Sequence, residues 1–217
     1  MKKNIAVLLS AITIFAVLSS VAGCSSGGSL ANGCKFTLTP AEETSAEELE
    51  AAAKIVKERL LKAFSNAEVE NRDGKLFVKT PKIDNPDAVM EIICEKGGVD
   101  FKDSAGNVRL RGEHVKTAKA GYNESGEPSV FLEFTEEGTG LFAQATKDIA
   151  DGNDGVENVI YIYLGSIMIS APKVTAEIPN GLAMISDFGS FEKAKAFAAA
   201  TEVGRLGVGF NVVRENA

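Results

Sequence analysis

Between Val159 and Ser170 the chain alternates so regularly that two opposite faces can be read from it. Val159-Ile160-Tyr161-Ile162-Tyr163-Leu164 runs through Gly165-Ser166 into Ile167-Met168-Ile169-Ser170. Glycine at the first central position suits a two-residue type II′ turn, where φ must be positive. Such a turn pairs Leu164 with Ile167 and Ile162 with Ile169 on one face. It pairs Tyr163 with Met168 and Tyr161 with Ser170 on the other. A second hairpin is signalled by Asp73-Gly74 between Ala67–Arg72 and Lys75–Thr80. Its register sets Val69 opposite Val78 and Asn71 opposite Leu76 toward a core. Glu68 with Lys79, Glu70 with Phe77 and Arg72 with Lys75 fill the other face. That face is mostly charged, so it is solvated or covered by another domain, and Phe77 stands alone in it.

Helical spacing supplies the layers that cover these strands. Cys34 to Thr39 reads as a first strand with Phe36 and Leu38 on one face. Ser45-Ala46-Glu47-Glu48 is a capping box. It opens a helix carrying Leu49, Ala53, Val56, Leu60 and Phe64 on one stripe, with Asn66 as its left-handed terminator. Asn85 caps a second helix with Pro86 at its first position. There Val89, Ile92 and Ile93 face inward, Gly97-Gly98 ends the helix, and Val99 to Phe101 forms a fourth strand. The order βαββαβ over 34–103 predicts a ferredoxin-like sandwich with its first and fourth strands adjacent.

Residues 104–206 read as an insertion-like α+β subdomain of mainly antiparallel strands. Lys119 to Pro128, rich in Gly, Ser and Glu, is expected to be a surface loop. Val130 to Phe134 is a strand with Val130, Leu132 and Phe134 on one face. A helix from about Gly138 to Ala150 carries Leu141, Ala145 and Ile149. After the Tyr161–Ser170 hairpin, Pro172 ends or edges the second strand, and Leu182–Ile185 gives another. Ser190 caps a last helix ending at Gly204, whose inner side is Ala194, Phe197, Ala198 and Thr201. A final strand over 207–213, through Val208, Phe210 and Val212, is expected to complete the first module. The fold class is α+β: a ferredoxin-like βαββαβ base with an inserted α+β subdomain.

Composition narrows the surroundings more than the fold. The 217 residues are 45% apolar and 24% charged, with a net charge of −7. No basic stripe exists to displace phosphate counterions, which disfavours nucleic acid, and the charge opposes adsorption to anionic lipid. Lys2-Lys3, an apolar run from Ile5 to Val17 and small residues up to Gly23 form the layout of a signal peptide over 1–23. Val21-Ala22-Gly23-Cys24 resembles a bacterial lipobox, which implies lipidation of Cys24 and attachment to the membrane facing outside the cytoplasm. Residues 24–33 then form a flexible Ser/Gly tether. Cys34 and Cys94 fall on opposite rims of the expected sheet, beyond the roughly 7 Å that a disulfide spans. They are read as separate, with Cys94 buried.

Reaction chemistry is mostly missing. His114 has no second imidazole and no serine elbow, so it reads as a turn residue. Asp187-Phe188-Gly189 matches a kinase triplet without the rest of the kinase pattern and reads as a strand end before a helix cap. Asp151-Gly-Asn-Asp-Gly-Val-Glu157 resembles part of a calcium loop but lacks most of its ligands. Glu136-Glu137 suits a helix N-terminus. No catalytic, cofactor-binding or metal residue is expected, and no enzyme.

Several short segments keep the order and spacing of one known family. Leu110-Arg-Gly-Glu-His-Val-Lys-Thr-Ala118 resembles its LTGxxVxxA. Val130-Phe-Leu-Glu-Phe-Thr-Glu-Glu-Gly138 followed by Phe142-Ala-Gln-Ala-Thr146 resembles its VxLxFxxEG…FxxxT. Ile162-Tyr-Leu164 with Ile169-Ser-Ala-Pro172 resembles IxLDGxxISAP, and Ile178-Pro-Asn-Gly181 its IxxG. Ala183-Met-Ile-Ser186 and the Glu192–Ala198 helix follow suit. The resemblance, over about 36–213, is to the first extracytoplasmic domain of the SecD/SecDF protein-export subunits, here as a stand-alone lipoprotein. It implies a head subdomain on a ferredoxin-like base, and exported polypeptides or translocase components as partners. Phe77, Tyr161, Tyr163 and Met168 are the candidate polypeptide contacts. The other reading is an envelope interaction module that binds a fixed protein partner or a small ligand. Gly165-Ser166 replaces the family's Asp-Gly turn, and Gly204-Arg-Leu-Gly207 lacks the family's proline. The membrane spans of a fused SecDF are absent from these residues, so no proton-driven cycle by this chain alone is expected. Thiol titration of unfolded, unreduced protein should find both Cys34 and Cys94 free; finding neither would contradict the separation.

Overall fold

The computed structural model describes residues 29–152 and 157–215. The signal peptide, Cys24, most of the tether and the centre of the candidate calcium loop lie outside the described residues. Among the described residues the fold is α+β, with four α-helices and three antiparallel sheets.

The first module forms largely as the local chemistry dictates. In β1 (Cys34–Pro40), Phe36 and Leu38 are fully buried. α1 (Ala46–Phe64) opens on the capping box: Ser45 Oγ accepts from the Glu48 N–H at 3.2 Å, and the Glu48 carboxylate accepts from the Ser45 N–H at 2.9 Å. Its left-handed terminator is Ser65, at φ 60°, and not Asn66, because the Ser65 N–H closes the last turn on Leu61 O. β2 (Glu68–Arg72) and β3 (Lys75–Thr80) pair in the register read from the sequence. Positive φ at both Asp73 and Gly74 supplies the type I′ twist. α2 (Pro86–Ile93) begins with proline, but Asn85 is left-handed and its side chain makes no capping bond. The helix stops at Cys94, well before Gly97-Gly98. Cys34 and Cys94 are both buried and free, and burial pushes the Cys94 thiol up to about 12 against the pull of nearby Arg59.

The second module starts one strand earlier than expected. β4 (Val99–Lys102) does not join β1. It lies between β5 (Val108–Arg111) and β8 (Tyr161–Leu164), with β9 (Ile167–Ser170) beyond, giving the order β5-β4-β8-β9. Phe101 explains the choice, since its ring meets those of Phe134 and Phe142 edge-on at 5.8 and 6.3 Å in the second core. The place beside β1 goes to β11 (Phe210–Arg214), so the base sheet runs β11-β1-β3-β2.

The third sheet, β10-β7-β6, holds β6 (Val115–Tyr122), β7 (Pro128–Phe134) and β10 (Leu182–Ile185). The expected loop at 119–128 is therefore mostly strand. Only 123–127 turn, tied by the Asn123 side-chain oxygen accepting from the Ser125 and Glu127 N–H groups. In α3 (Glu136–Ala150) Phe142 takes the buried position and Leu141 is exposed, because the Phe142 ring packs at a tilt against Phe134, 4.6 Å between centres.

α4 (Phe191–Val203) joins the modules. Ser190 Oγ accepts from the Lys193 N–H at its start. Ala194, Ala196, Phe197, Ala198, Ala199, Ala200 and Thr201 are all buried, since the helix packs on α1 and α2 and also on β6 and β7. Small side chains are what allow two such approaches at once. Glu202 pins it further, accepting from Lys62 Nζ at 2.8 Å and from the Ala118 N–H at 3.0 Å.

Arg59 is buried completely among these elements. Its Nη1 donates to Ile93 O at 2.8 Å and Glu95 O at 2.9 Å, and its Nη2 donates to Gly204 O. Burial lowers its pKa to about 10, while Cys94 and Glu95 pull the other way, so it stays charged at neutral pH. Arg59→Met should leave three carbonyls unsatisfied and lower the unfolding free energy by about 3 kcal/mol or more. Equilibrium denaturation measures this; an unchanged midpoint would refute it.

Candidate functional site

Three of the four candidate contact residues come together. Tyr163 pairs with Met168 across the β8–β9 hairpin, and Tyr161 follows two residues away on the same face. Tyr161 and Tyr163 are partly buried and Met168 is 56% exposed. The inner face of this sheet is formed by Phe101, Leu110, Ile162 and Leu164. The fourth candidate, Phe77, lies on β3 in the base sheet, with the Arg72 guanidinium 4.4 Å over its ring.

The hairpin differs from its reading at one end. Leu164 pairs with Ile167 and Tyr163 with Met168, but a bulge after Ile162 sets Ile162 opposite Ser170 and removes the Ile162–Ile169 and Tyr161–Ser170 pairs. β8 also begins only at Tyr161, Val159 being held by a single bridge to Lys173. At the turn, Gly165 has φ 55° and Ser166 does not share the positive sign, as type II′ geometry requires.

The turn is docked on the connection that leads out of α2. Glu95 accepts from Ser166 Oγ at 3.1 Å, from the Ser166 N–H at 3.4 Å and from the Gly97 N–H at 3.2 Å. The Gly165 N–H donates to Gly98 O at 2.9 Å. Contact is so close that a Cβ on Gly97 would fall 2.1 Å from Gly165 Cα. Glu95 thus holds the hairpin through its side chain while its own carbonyl is held by Arg59.

Beside the tyrosines runs a shallow groove of about 380 Å³. Lys102 Nζ sits 4.9 Å from the centre of the Tyr163 ring, a cation–π contact. Asp103 shapes the rim. Its buried carboxylate accepts from the Ala105 and Asn107 N–H groups, from Asn107 Nδ2 and from Arg109 Nε, all at 2.9–3.0 Å. Burial pushes the Asp103 carboxyl up, but the bonds from Asn107 and Arg109 outweigh it and hold the group below the usual carboxylate range.

The residues weighed for chemistry have structural places. His114 ends a 3-10 turn (Gly112–His114), where its Nδ1 accepts from the Arg111 N–H at 3.1 Å. In Asp187-Phe188-Gly189, Asp187 and Gly189 have positive φ and Phe188 packs on Phe197 at 5.4 Å between ring centres. Among the described residues no group of three His, Cys, Asp or Glu side chains is placed to hold a metal. No helix among them is long and apolar enough to cross a membrane.

Sequence reasoning missed Arg59, Glu95, Lys102 and Asp103. Only Arg59 left a signal, as a cation three residues after Val56 within an otherwise apolar stripe.

Together these elements define a two-module α+β domain: a ferredoxin-like sandwich, closed by β11, that carries an inserted β-rich module with an aromatic outer face. Residues 99–208 match the SecDF P1 head subdomain, and the chain belongs to that family. The match begins at Val99, where β4 enters the second module. Among curated relatives, the protein translocase subunit SecD of Acidaminococcus fermentans is 29% identical over 81% of this chain and 41% of its own length. That of Dictyoglomus turgidum is 30% identical over 64% of this chain and 33% of its own length. The chain therefore spans about two fifths or less of these relatives. A crystal structure of SecDF in a super-membrane-facing form superposes with a TM-score of 0.61 at 21% identity, covering 83% of this chain and 29% of that one. A second structure, of a membrane component SecDF that enhances protein export, gives 0.57 at 21% identity, covering 84% and 99%.

Asp103→Asn should destabilise the protein by about 2 kcal/mol at neutral pH. Because the folded carboxyl titrates below its unfolded value of about 3.9, this difference should persist above pH 4 and vanish as the pH falls through the folded value. Acid unfolding of both proteins would show it, and a difference that grew on acidification would contradict the assignment.

Proposed function

We propose that this chain is a non-catalytic polypeptide-binding domain that assists protein export outside the cytoplasm, tethered to the membrane by lipid on Cys24. The observation that carries the reading is the meeting of Tyr161, Tyr163 and Met168 on one sheet face beside the outer edge of β9, which among the described residues pairs only with β8. Aromatic and thioether side chains bury apolar groups of many shapes. An open strand edge offers hydrogen bonds to any extended backbone. Neither feature demands a particular sequence, as suits a binder of varied exported chains. The names of the relatives, translocase subunits, support exported polypeptides and translocase components as partners. Phe77, on the other sheet and covered by Arg72, is a separate and smaller contact in this reading.

A photo-crosslinking amino acid at Met168, used in cells, should capture a broad set of exported proteins. Recovery of one stoichiometric partner would favour a fixed-partner interaction module. Recovery of no secreted chain would overturn the export reading.

A further inference from the structure

The outer face of the β5-β4-β8-β9 sheet has a charge pattern that its aromatic residues do not reveal. Register aligns Arg111, Asp100, Tyr163 and Met168 in one row across four strands, and Val108, Lys102 and Tyr161 in the next. Among the described residues two carboxylates lie near this face, and one of them, Asp100, stands in the row itself between Arg111 and Tyr163 with a buried Oδ1 that accepts no hydrogen bond. Asp100 has Arg205 Nη2 at 3.8 Å, and Glu95 is held by the hairpin turn. Glu113 stands past the end of the row on the 3-10 turn. Neither Lys102 nor Arg111 has a carboxylate within ion-pair distance among the described residues. A chain of net charge −7 thus presents Lys102 and Arg111, neither of them in an ion pair among the described residues, on the face that carries Tyr161, Tyr163 and Met168.

We propose that this face takes an extended polypeptide segment with an apolar anchor and, three to four residues away, an acidic side chain. The inference rests on the polypeptide-binding reading and names the chemistry it selects. The spacing follows from the sheet. Neighbouring strands lie about 4.8 Å apart, so Met168 and Arg111, separated by three gaps, are about 14 Å apart. An extended chain rises about 3.3 Å per residue and crosses that span in about four residues. A segment that enters over β9 sets its anchor on Met168 and Tyr163, and its carboxylate reaches Arg111, with Lys102 alongside. Arg111 suits this role because a guanidinium engages a carboxylate through two parallel hydrogen bonds. A polypeptide fits better than an anionic lipid surface, because among the described residues this face offers only Lys102 and Arg111 as cations outside ion pairs, and the net charge of the whole chain repels such a surface.

Fluorescence anisotropy with the purified protein and labelled twelve-residue peptides tests the proposal. One peptide carries Leu-Phe with Glu four residues later, the second has that Glu replaced by Lys, and the third has it moved next to Leu-Phe. The first should bind about tenfold more tightly than the second, with the third in between. Arg111→Glu should reverse the preference while circular dichroism stays unchanged. Equal binding of all three peptides would overturn the acidic selectivity and leave polypeptide binding standing. Binding of none would overturn both. Competition by phosphatidylglycerol vesicles at low salt, displacing the first peptide from the unchanged protein, would make the face a lipid site and refute the proposal.

Discussion

A single buried guanidinium holds the two modules to each other. The inserted module leaves the base after α2 and returns to it after α4, and both crossings begin where a helix has ended. Helix ends leave carbonyls without partners, and here the one at Ile93 is buried and those at Glu95 and Gly204 are partly so. Arg59 serves Ile93 and Glu95 on the outgoing crossing and Gly204 on the returning one. An apolar residue at this point would pack equally well and satisfy none of them. A lysine would bring a charge without the planar fork that reaches two directions at once. The alanine-rich face of α4 depends on the same arrangement, since it fits between helices and sheet only while both crossings are held.

The position of the outer aromatic face follows from that clamp. Glu95 is gripped at its carbonyl by Arg59 and grips the Gly165-Ser166 turn with its carboxylate. The turn chemistry accords with this contact. A Cβ at residue 165 would lie 2.0 Å from Glu95 Oε1, so no larger residue could sit here without displacing Glu95. Glycine removes the clash, and Ser166 supplies the hydroxyl that Glu95 accepts. The Gly165-Ser166 sequence and the docked hairpin are thus one feature seen from sequence and from structure.

What the sequence displayed was the local part of this design. The capping box at Ser45, the Asp73-Gly74 hairpin with all five of its pairs, and the Ser190 cap need only residues near one another, and each stands where it was read. Choices settled by distant partners were hidden. Val99 to Phe101 alternates as well as any base strand, and only the rings of Phe134 and Phe142 draw it into the other sheet. Leu141 and Phe142 are equally apolar, and the choice between them belongs to the same cluster. The bulge after Ile162 leaves no mark in the alternation. Of the contact face, the aromatic residues were legible and the charges were not. Lys102 and Arg111 acquire meaning only when β4 is known to lie between β5 and β8.

The closure of the base sheet by β11 also governs the order in which this protein can be finished. Thr37 on the first strand bonds to Glu215 across a separation of 178 residues. Contacts so remote in sequence close late, because a long loop must be ordered before they form. Until β11 arrives, β1 has an open edge on one side and Phe36 and Leu38 lie under an incomplete sheet. A chain emerging from its N-terminus must therefore hold its oldest strand unfinished while the whole inserted module is made. During that interval β1, paired only with β3, keeps one edge open to any extended chain, so this domain passes through a stage in which it shares the exposed backbone of its proposed clients.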